Sequence, residues 1–203
     1  MNRLPSIPLV RAAVTLCCLT LVGCGSTQRP GPAKFLLDPG TPPSFAGLQR
    51  QGTLAVNFVN VDLRAADGGF LYKVSATQWE TDPYNGFLIA PSQMMTSIIR
   101  QWISDSQQFR SVAIGGSPGG QDWVLRFTVT ELYGDFQSSF DPKAVISLEM
   151  RLFRNTASKL VLVSEGTYER QISVSARTPS ALVDSWNAGL REILTEVSRN
   201  LAQ

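Results

Sequence analysis

Three stretches in which apolar and polar residues alternate occupy positions 122–174, and they constrain the fold more than any other feature. They read DWVLRFTVTELY, AVISLEMRLF and KLVLVSEGTYERQISV. A period of two places alternate side chains on opposite faces of a strand, so each stretch predicts a strand with one buried and one mostly solvated face. Because only short turns separate them, we expect an antiparallel meander.

Two further segments have the periodicity of amphipathic helices. The first begins at Pro91 and Ser92, and its apolar face consists of Met94, Met95, Ile98, Ile99 and Trp102. In the second, Thr178 is a predicted N-cap and Pro179 lies in the first turn. The apolar residues that follow recur at helical spacing, namely Leu182, Trp186, Leu190, Ile193, Val197 and Leu201.

Shorter strands are predicted in the first half of the chain. They are FLLD at 35–38, TLAVNFVNV at 53–61, and FLYKVS after the Gly68-Gly69 turn. The order of elements predicts an α+β fold, with a single mixed, largely antiparallel sheet covered by two amphipathic helices. No internal repeat or second domain is evident in the sequence.

The N-terminus has the layout of a bacterial export signal, with Arg3 and Arg11 flanking a positively charged region. The apolar stretch 12–22 would form a helix of roughly 17 Å, which is too short for a hydrocarbon core of about 30 Å. The sequence Leu21-Val22-Gly23-Cys24 resembles the lipobox of bacterial lipoproteins. This resemblance implies that Cys24 carries diacylglycerol and palmitate as the first mature residue; an ordinary secretory signal or an uncleaved anchor is the alternative.

These features divide the chain into a signal peptide at 1–23, a lipidated flexible tether at 24–33 and one domain at 34–203. In enterobacterial lipoproteins, Asp after the lipidated cysteine retains the protein at the inner membrane, whereas this chain has Gly25. The resemblance therefore implies the outer membrane, with the domain facing the periplasm.

The residue types that are missing exclude several kinds of chemistry. The chain has no histidine, and the only cysteine of the predicted mature part is Cys24, so Ser-His or Cys-His catalysis and the usual zinc sites are excluded. Glu165 and Glu169 would lie roughly 13 Å apart on a strand, too far for a glycosidase pair. Without Arg3 and Arg11 the basic and acidic residues balance, which argues against nucleic-acid binding. We expect neither an enzyme nor a cofactor or metal site.

Several of these segments together resemble the auxiliary lipoprotein family of ABC-type transport systems, the group that includes PqiC. The similarity rests on the lipobox, the opening Phe35-Leu36-Leu37-Asp38, a strand ending near Asp62, the segment LYKVSATQWETDP, the motif VTELYGDF and the C-terminal amphipathic helix. It implies partnership with a periplasmic MCE-domain protein and, through it, with an ABC permease and its ATPase. The expected role is in phospholipid traffic between the inner and outer membranes.

A docking adaptor needs an accessible surface, and the segment FLYKVSATQWETDPYNGF is rich in aromatic residues of the kind found at interfaces. The predicted partner-binding residues are Tyr72, Trp79, Tyr84 and Phe87, although Tyr72 and Trp79 could instead fill the core. Two other functions stay open: a periplasmic lipid carrier or chaperone with an apolar cavity, and a cell-wall-binding module. Homo-oligomerisation is also open.

Overall fold

The computed structural model describes most of the chain after Pro30, namely residues 31–45, 49–57, 59–62, 67–114, 120–156 and 158–202. The predicted signal peptide and the lipidation site Cys24 lie outside these residues. Residues Pro32–Gln203 make up one compact unit.

The three alternating stretches form the predicted meander. Strands β7 (Trp123–Asp135), β8 (Lys143–Asn155) and β9 (Leu160–Ser173) pair antiparallel along their lengths. Leu125 and Phe127 are buried beneath the helices as the alternation predicts, and Val124 on the opposite face is buried as well. The meander is therefore confirmed in both order and orientation.

Three short strands pair with the other edge of β7, and they follow one another along it in the order of the chain. Strands β2 (Arg50–Val56), β3 (Asn60–Val61) and β4 (Gly69–Lys73) each pair with β7 in the parallel orientation. The single strand predicted over 53–61 is thus interrupted between β2 and β3. At the break, the backbone N–H of Val59 donates to the side chain of Thr96 instead of continuing the ladder.

Three outer strands extend the sheet. Strand β5 (Trp79–Phe87) pairs antiparallel with β4, β1 (Ala33–Phe35) pairs parallel with β5, and β6 (Phe109–Ile114) pairs parallel with β2. Nine strands of the described chain therefore form one unclosed sheet. Its long pairings are antiparallel and its parallel pairings are short, which confirms the predicted mixed, largely antiparallel sheet.

Two helices cover one face of this sheet, as predicted. Helix α1 (Pro91–Asp105) packs over β2, β3 and β6, and helix α2 (Pro179–Leu201) packs over β8 and β9. The side chain of Thr178 accepts the N–H of Ala181 and caps α2. The helices are joined by the indole N–H of Trp102, which donates to Ser198 over 3.1 Å. The largest fully buried side chains are Trp102, Trp186, Phe70 and Phe127.

The opposite face of the sheet carries a second, smaller apolar cluster. It consists of Leu71, Tyr133 and Val145, with Trp79 packed against them. Neither described helix is both long enough and apolar enough to cross a membrane.

Candidate docking surface

A loop within β5 forms the centre of the candidate surface. Gly69 of β4 pairs with Gly86 of β5. Leu71, two residues later on β4, pairs with Thr81, which is five residues earlier on β5. The extra residues of β5 therefore bulge out of the ladder around Pro83. The bulge accounts for the turn-like sequence Asp-Pro-Tyr-Asn-Gly inside a strand.

The carboxylate of Asp82 holds this loop in place through four hydrogen bonds. Its Oδ1 accepts the backbone N–H groups of Tyr84 and Asn85 at 2.8 and 2.9 Å. Its Oδ2 accepts the side-chain N–H of Asn85 and the hydroxyl of Tyr72, each at 2.9 Å. The position of Tyr84 is therefore fixed by backbone bonds to a carboxylate that Tyr72 holds from the other side.

The protonation of this pair follows from its surroundings. Burial alone would raise the pKa of Asp82, but hydrogen bonds from the Asn85 side chain, from the backbone of Tyr84 and Asn85, and from Tyr72 lower the pKa below its usual value. Burial raises the pKa of Tyr72 above its usual value, and the hydrogen bond to Asp82 and its negative charge raise it further. At neutral pH Tyr72 is a neutral donor and Asp82 an anionic acceptor.

Of the four residues predicted from the sequence, Tyr72 and Tyr84 are brought together through Asp82. Tyr72 is half-buried, and its ring stacks on Phe136 with centroids 5.0 Å apart. Tyr84 is 55% exposed. Tyr72 is thus a support for the loop, and Tyr84 is the side chain that the loop presents to solvent.

The other two residues lie elsewhere. Trp79 lies in the cluster on the helix-free face, where it contacts Tyr133 edge-on with centroids 4.9 Å apart. Phe87 is only 6% exposed and packs against Phe70 and Trp186. The four residues therefore do not form one surface, and Phe87 fills the core beneath the helices.

Three exposed apolar residues that were not singled out from the sequence lie beside the loop. The backbone N–H of Leu88 donates to the carbonyl of Phe35, and the register of Phe35 opposite Phe87 places Leu36 beside Leu88. We call Leu36, Tyr84, Leu88 and Ile89 the β1–β5 surface; their side chains are 49, 55, 59 and 42% exposed, respectively. The alternation could have identified Leu36 and Leu88, since Phe35 and Phe87 point inward.

The described residues contain no group of three or more acidic or cysteine side chains arranged to hold a metal ion. Glu165 forms an ion pair with Arg151 at 3.5 Å, and Glu169 accepts a hydrogen bond from Gln171. An open cleft of about 410 Å³ lies between the Pro42-Pro43 segment and the ends of both helices, with mainly polar walls that include Gln49, Asp105 and Gln108.

Comparison with known proteins gives similarity in structure only. No family model and no curated protein matches this sequence. A crystal structure from Xanthomonas campestris, assigned to the DUF330 family, has a TM-score of 0.73 at 18% identity, covering 84% of this chain and 95% of the other. An uncharacterized protein of solved structure has a TM-score of 0.61 at 20% identity, covering 80% and 99%.

A lipoprotein from Neisseria meningitidis is a weaker match, with a TM-score of 0.30 at 15% identity over 70% of this chain and 97% of the other. That likeness is too distant to bear on the function of this chain. The two stronger matches are also below the identity at which function could be transferred. They establish that the fold of this protein is the one seen in the Xanthomonas campestris DUF330 structure.

Proposed function

We propose that this protein is a lipid-anchored docking adaptor of the outer membrane, facing the periplasm. Its proposed partner is the MCE-domain protein of an ABC-type transport system that moves phospholipid between the two membranes. The lipobox-like sequence ending at Cys24 supports the anchor, and the family resemblance suggests the partner. The observation that carries the proposal is the β1–β5 surface, on which four apolar side chains are exposed.

The β1–β5 surface is suited to binding because packed side chains and hydrogen bonds hold the segments that carry it. Phe35 and Phe87 anchor the strands that carry it by packing on Phe70. Asp82 fixes the loop that carries Tyr84. A preorganised apolar surface binds with less loss of conformational entropy than a mobile one, and exposed clusters of this kind commonly mark interaction sites.

The packing of the core favours an adaptor over a carrier. A carrier would need an apolar cavity between the sheet and the helices, but Trp102, Trp186 and Phe127 fill that space and are at most 2% exposed. The proposal therefore assigns neither a lipid cavity nor a catalytic step to this chain. ATP dependence would come from the ATPase of the partner system.

Co-purification in mild detergent tests the docking surface. Tyr84→Ala combined with Leu88→Ala should reduce recovery of the MCE-domain protein by about tenfold or more, as for loss of interface hot spots. Phe140→Ala is the matched control, because Phe140 is 98% exposed but lies in the β7–β8 connection. Full recovery with the double variant would exclude this surface. Stoichiometric phospholipid recovered without a protein partner would favour the carrier.

The anchor has a separate test. Cys24→Ser should abolish palmitate labelling and release the protein from membranes, because the thiol is the proposed site of acylation. Labelling that persisted in this variant would rule out Cys24 as the lipidated residue.

A further inference from the structure

The turn between β7 and β8 carries an aromatic side chain that the folded domain leaves in water. Phe140 is 98% exposed, more than any other large apolar side chain of the described residues. A single exposed apolar residue is not by itself evidence of a site. For Phe140, the bonding of its loop and the end of the sheet at which the loop lies both bear on what covers the ring.

Hydrogen bonds hold the loop that carries Phe140. The hydroxyl of Ser138 accepts the backbone N–H groups of Phe140 and Asp141 at 3.3 and 3.1 Å. The guanidinium of Arg177 donates to the carbonyls of Phe136 and Ser138 at 3.1 and 2.9 Å. It also lies 5.2 Å from the centroid of the Phe136 ring. These contacts define the position from which the ring of Phe140 projects.

The acidic neighbour of Phe140 is compensated. Asp141 Oδ1 accepts the hydroxyl of Ser173 at 3.1 Å, and Oδ2 lies 3.4 Å from Nζ of Lys143. A charge that has a partner costs less to move into a less polar environment than an unpaired one. The carboxylate beside the ring is therefore only a small obstacle to placing this loop at the surface of a bilayer.

The topology brings the chain into the domain from the end of the sheet at which Phe140 lies. Strand β1 pairs parallel with β5, β5 antiparallel with β4, and β4 parallel with β7, so β1 runs opposite to β7. The chain that precedes Ala33 therefore approaches from the end at which β7 stops at Asp135. The loop with Phe140 begins at that same end.

The length of chain before Ala33 limits how far this end can lie from an anchor at Cys24. Ala33 follows Cys24 by nine positions, which span about 30 Å at full extension. Strand β8 alone is about 40 Å long. A tether shorter than the sheet favours orientations in which the end where it enters faces the membrane. This step rests on the lipid anchor of the proposed function.

We propose that Phe140 inserts into the membrane to which the chain is anchored, as a second, non-covalent contact with the bilayer. One ring offers about 200 Å² of surface, far less than the roughly 800 Å² per partner that a stable protein interface buries. A bilayer surface accepts a single apolar side chain, and the lipid anchor holds that side chain close enough for a weak contact to form.

This orientation fits the proposed docking surface. Strand β5 starts at the Phe140 end of the sheet and runs away from it, since its first residue, Trp79, pairs with Lys73 next to Asp135. Leu88 and Ile89, which follow β5, therefore lie farther from the membrane than the loop does. With Phe140 inserted, this part of the β1–β5 surface is held toward the periplasm.

Fluorescence quenching tests the insertion in the full-length lipidated chain. The probe is a vesicle of phosphatidylcholine and phosphatidylglycerol with bromine in the acyl chains. Phe140→Trp places a reporter on the loop, and Ser158→Trp places one in the exposed β8–β9 turn, about 40 Å away at the other end of β8. After subtraction of the native tryptophans, Phe140→Trp should be quenched several-fold more than Ser158→Trp. Equal quenching would overturn the proposal.

Removal of the ring separates its effect from that of the tether. A fluorophore on Ala76→Cys, in the exposed β4–β5 turn at the same end of the sheet, reports distance to an acceptor on the lipid headgroups by energy transfer. Phe140→Ala should lower this transfer, because the tether alone then holds the domain. Phe140→Leu keeps an apolar side chain and should retain the transfer. An unchanged signal in Phe140→Ala would overturn the insertion.

The outcomes distinguish this inference from the proposed function. A chain that floats with the vesicles but leaves Phe140→Trp unquenched would keep the anchor and remove the insertion. A chain that carries no lipid and does not float would remove the anchor and, with it, the insertion. Quenching without recovery of the MCE-domain protein would remove only the docking proposal. Mild detergent replaces the bilayer, so Phe140→Ala stays a valid control for the docking test.

Discussion

The two halves of the sheet are built in different ways. In the meander, β7, β8 and β9 follow one another in the chain and pair antiparallel along their lengths. In the first half, β2, β3 and β4 pair with β7, which lies far along the chain, and each pairing is only a few residues long. The first half also contains the loop held by Asp82 and the break between β2 and β3.

The contrast shows where this fold accommodates irregular structure. Neighbouring antiparallel strands need only short turns, so their alternation and the turns between them largely set the register, apart from one shift in each pairing. Parallel pairing with a distant strand requires long loops to close and leaves several short strands with gaps between them. In this molecule the exposed β1–β5 surface is found in that irregular half, on strands whose inward side chains are nevertheless well packed.

The largest expected effect concerns Trp186, which joins the two halves. Its ring contacts Phe70 and Phe87 of the first half, while its indole N–H points at the carbonyls of Tyr133 and Val145 in the meander. Trp186→Ala should lower the free energy of unfolding by about 3 to 5 kcal/mol, because a fully buried indole is lost. Urea unfolding measures this change.

The exposed Phe140 supplies the control for that measurement. Phe140→Ala should change the free energy of unfolding by less than about 0.5 kcal/mol, as is usual for surface substitutions. If Trp186→Ala left one half folded, two transitions would appear in place of one. The halves would then be separate cooperative units, contrary to the shared core seen here.

A second prediction compares one glycine from each half. A Cβ on Gly86 in β5 would collide with the backbone carbonyl of Gly68, which has little freedom to move. Gly86→Ala should therefore cost about 1 to 3 kcal/mol of unfolding free energy. In Gly134→Ala, in β7, the nearest atoms belong to the side chains of Tyr72 and Leu182 at 3.1 and 3.3 Å, and these can adjust. Thermal unfolding of both variants should rank Gly86→Ala as the more damaging.

The difference between the meander and the first half of the sheet also determines which elements could be predicted from the sequence. The meander and both helices follow from periodicity, and Thr178 marks the start of α2 as expected. Strands β5 and β6 were not predicted, because Pro83 and its neighbours resemble a turn and because β6 is ordered by pairing with β2. The first strand was placed at 35–38 but lies at Ala33–Phe35, where β5 supplies its partner.

The candidate site could be predicted only in part from the sequence, for a related reason. Aromatic content drew attention to the segment that holds Tyr84, but whether each side chain faces solvent depends on which face the helices cover. Phe87 points toward α2 and is buried, whereas Leu36 and Leu88 point the other way. A surface assembled from β1 and β5 also requires a pairing between residues about fifty positions apart, which no local pattern reveals.

The shifted pKa values of Asp82 and Tyr72 should give the first half its own dependence on pH. The lowered pKa of Asp82 contributes stability that is present above the unfolded value near 3.9 and is lost as the pH falls through the folded value. The raised pKa of Tyr72 contributes stability that is present below about 10 and is lost as the pH rises further. The folded protein should therefore weaken at both extremes.

Substitution separates these two contributions. Tyr72→Phe should cost about 1 to 2 kcal/mol at neutral pH, because it removes a hydrogen bond to a charged acceptor, and it should reduce the alkaline loss. Asp82→Asn should reduce the acid loss. Unfolding titrations between acid and alkaline pH measure both, and unchanged profiles would show that neither group contributes to the pH dependence of stability.

The smallest effect is expected from a charged cluster in the regular half. Arg170 on β9 reaches Glu192 at 2.9 Å and Glu196 at 2.6 Å on α2, and the hydrogen bond to Glu196, followed by that to Glu192, raises the pKa of Arg170 despite its partial burial. These groups remain partly exposed, so Arg170→Met should cost less than about 1 kcal/mol and still less in high salt. Glu169→Gln is the control, since Glu169 has no such ion pair among the described residues. A large loss of unfolding free energy that did not depend on salt would instead mean that α2 needs this contact to stay on the sheet. The regular half would then be stabilised by more than the packing of its alternating apolar side chains.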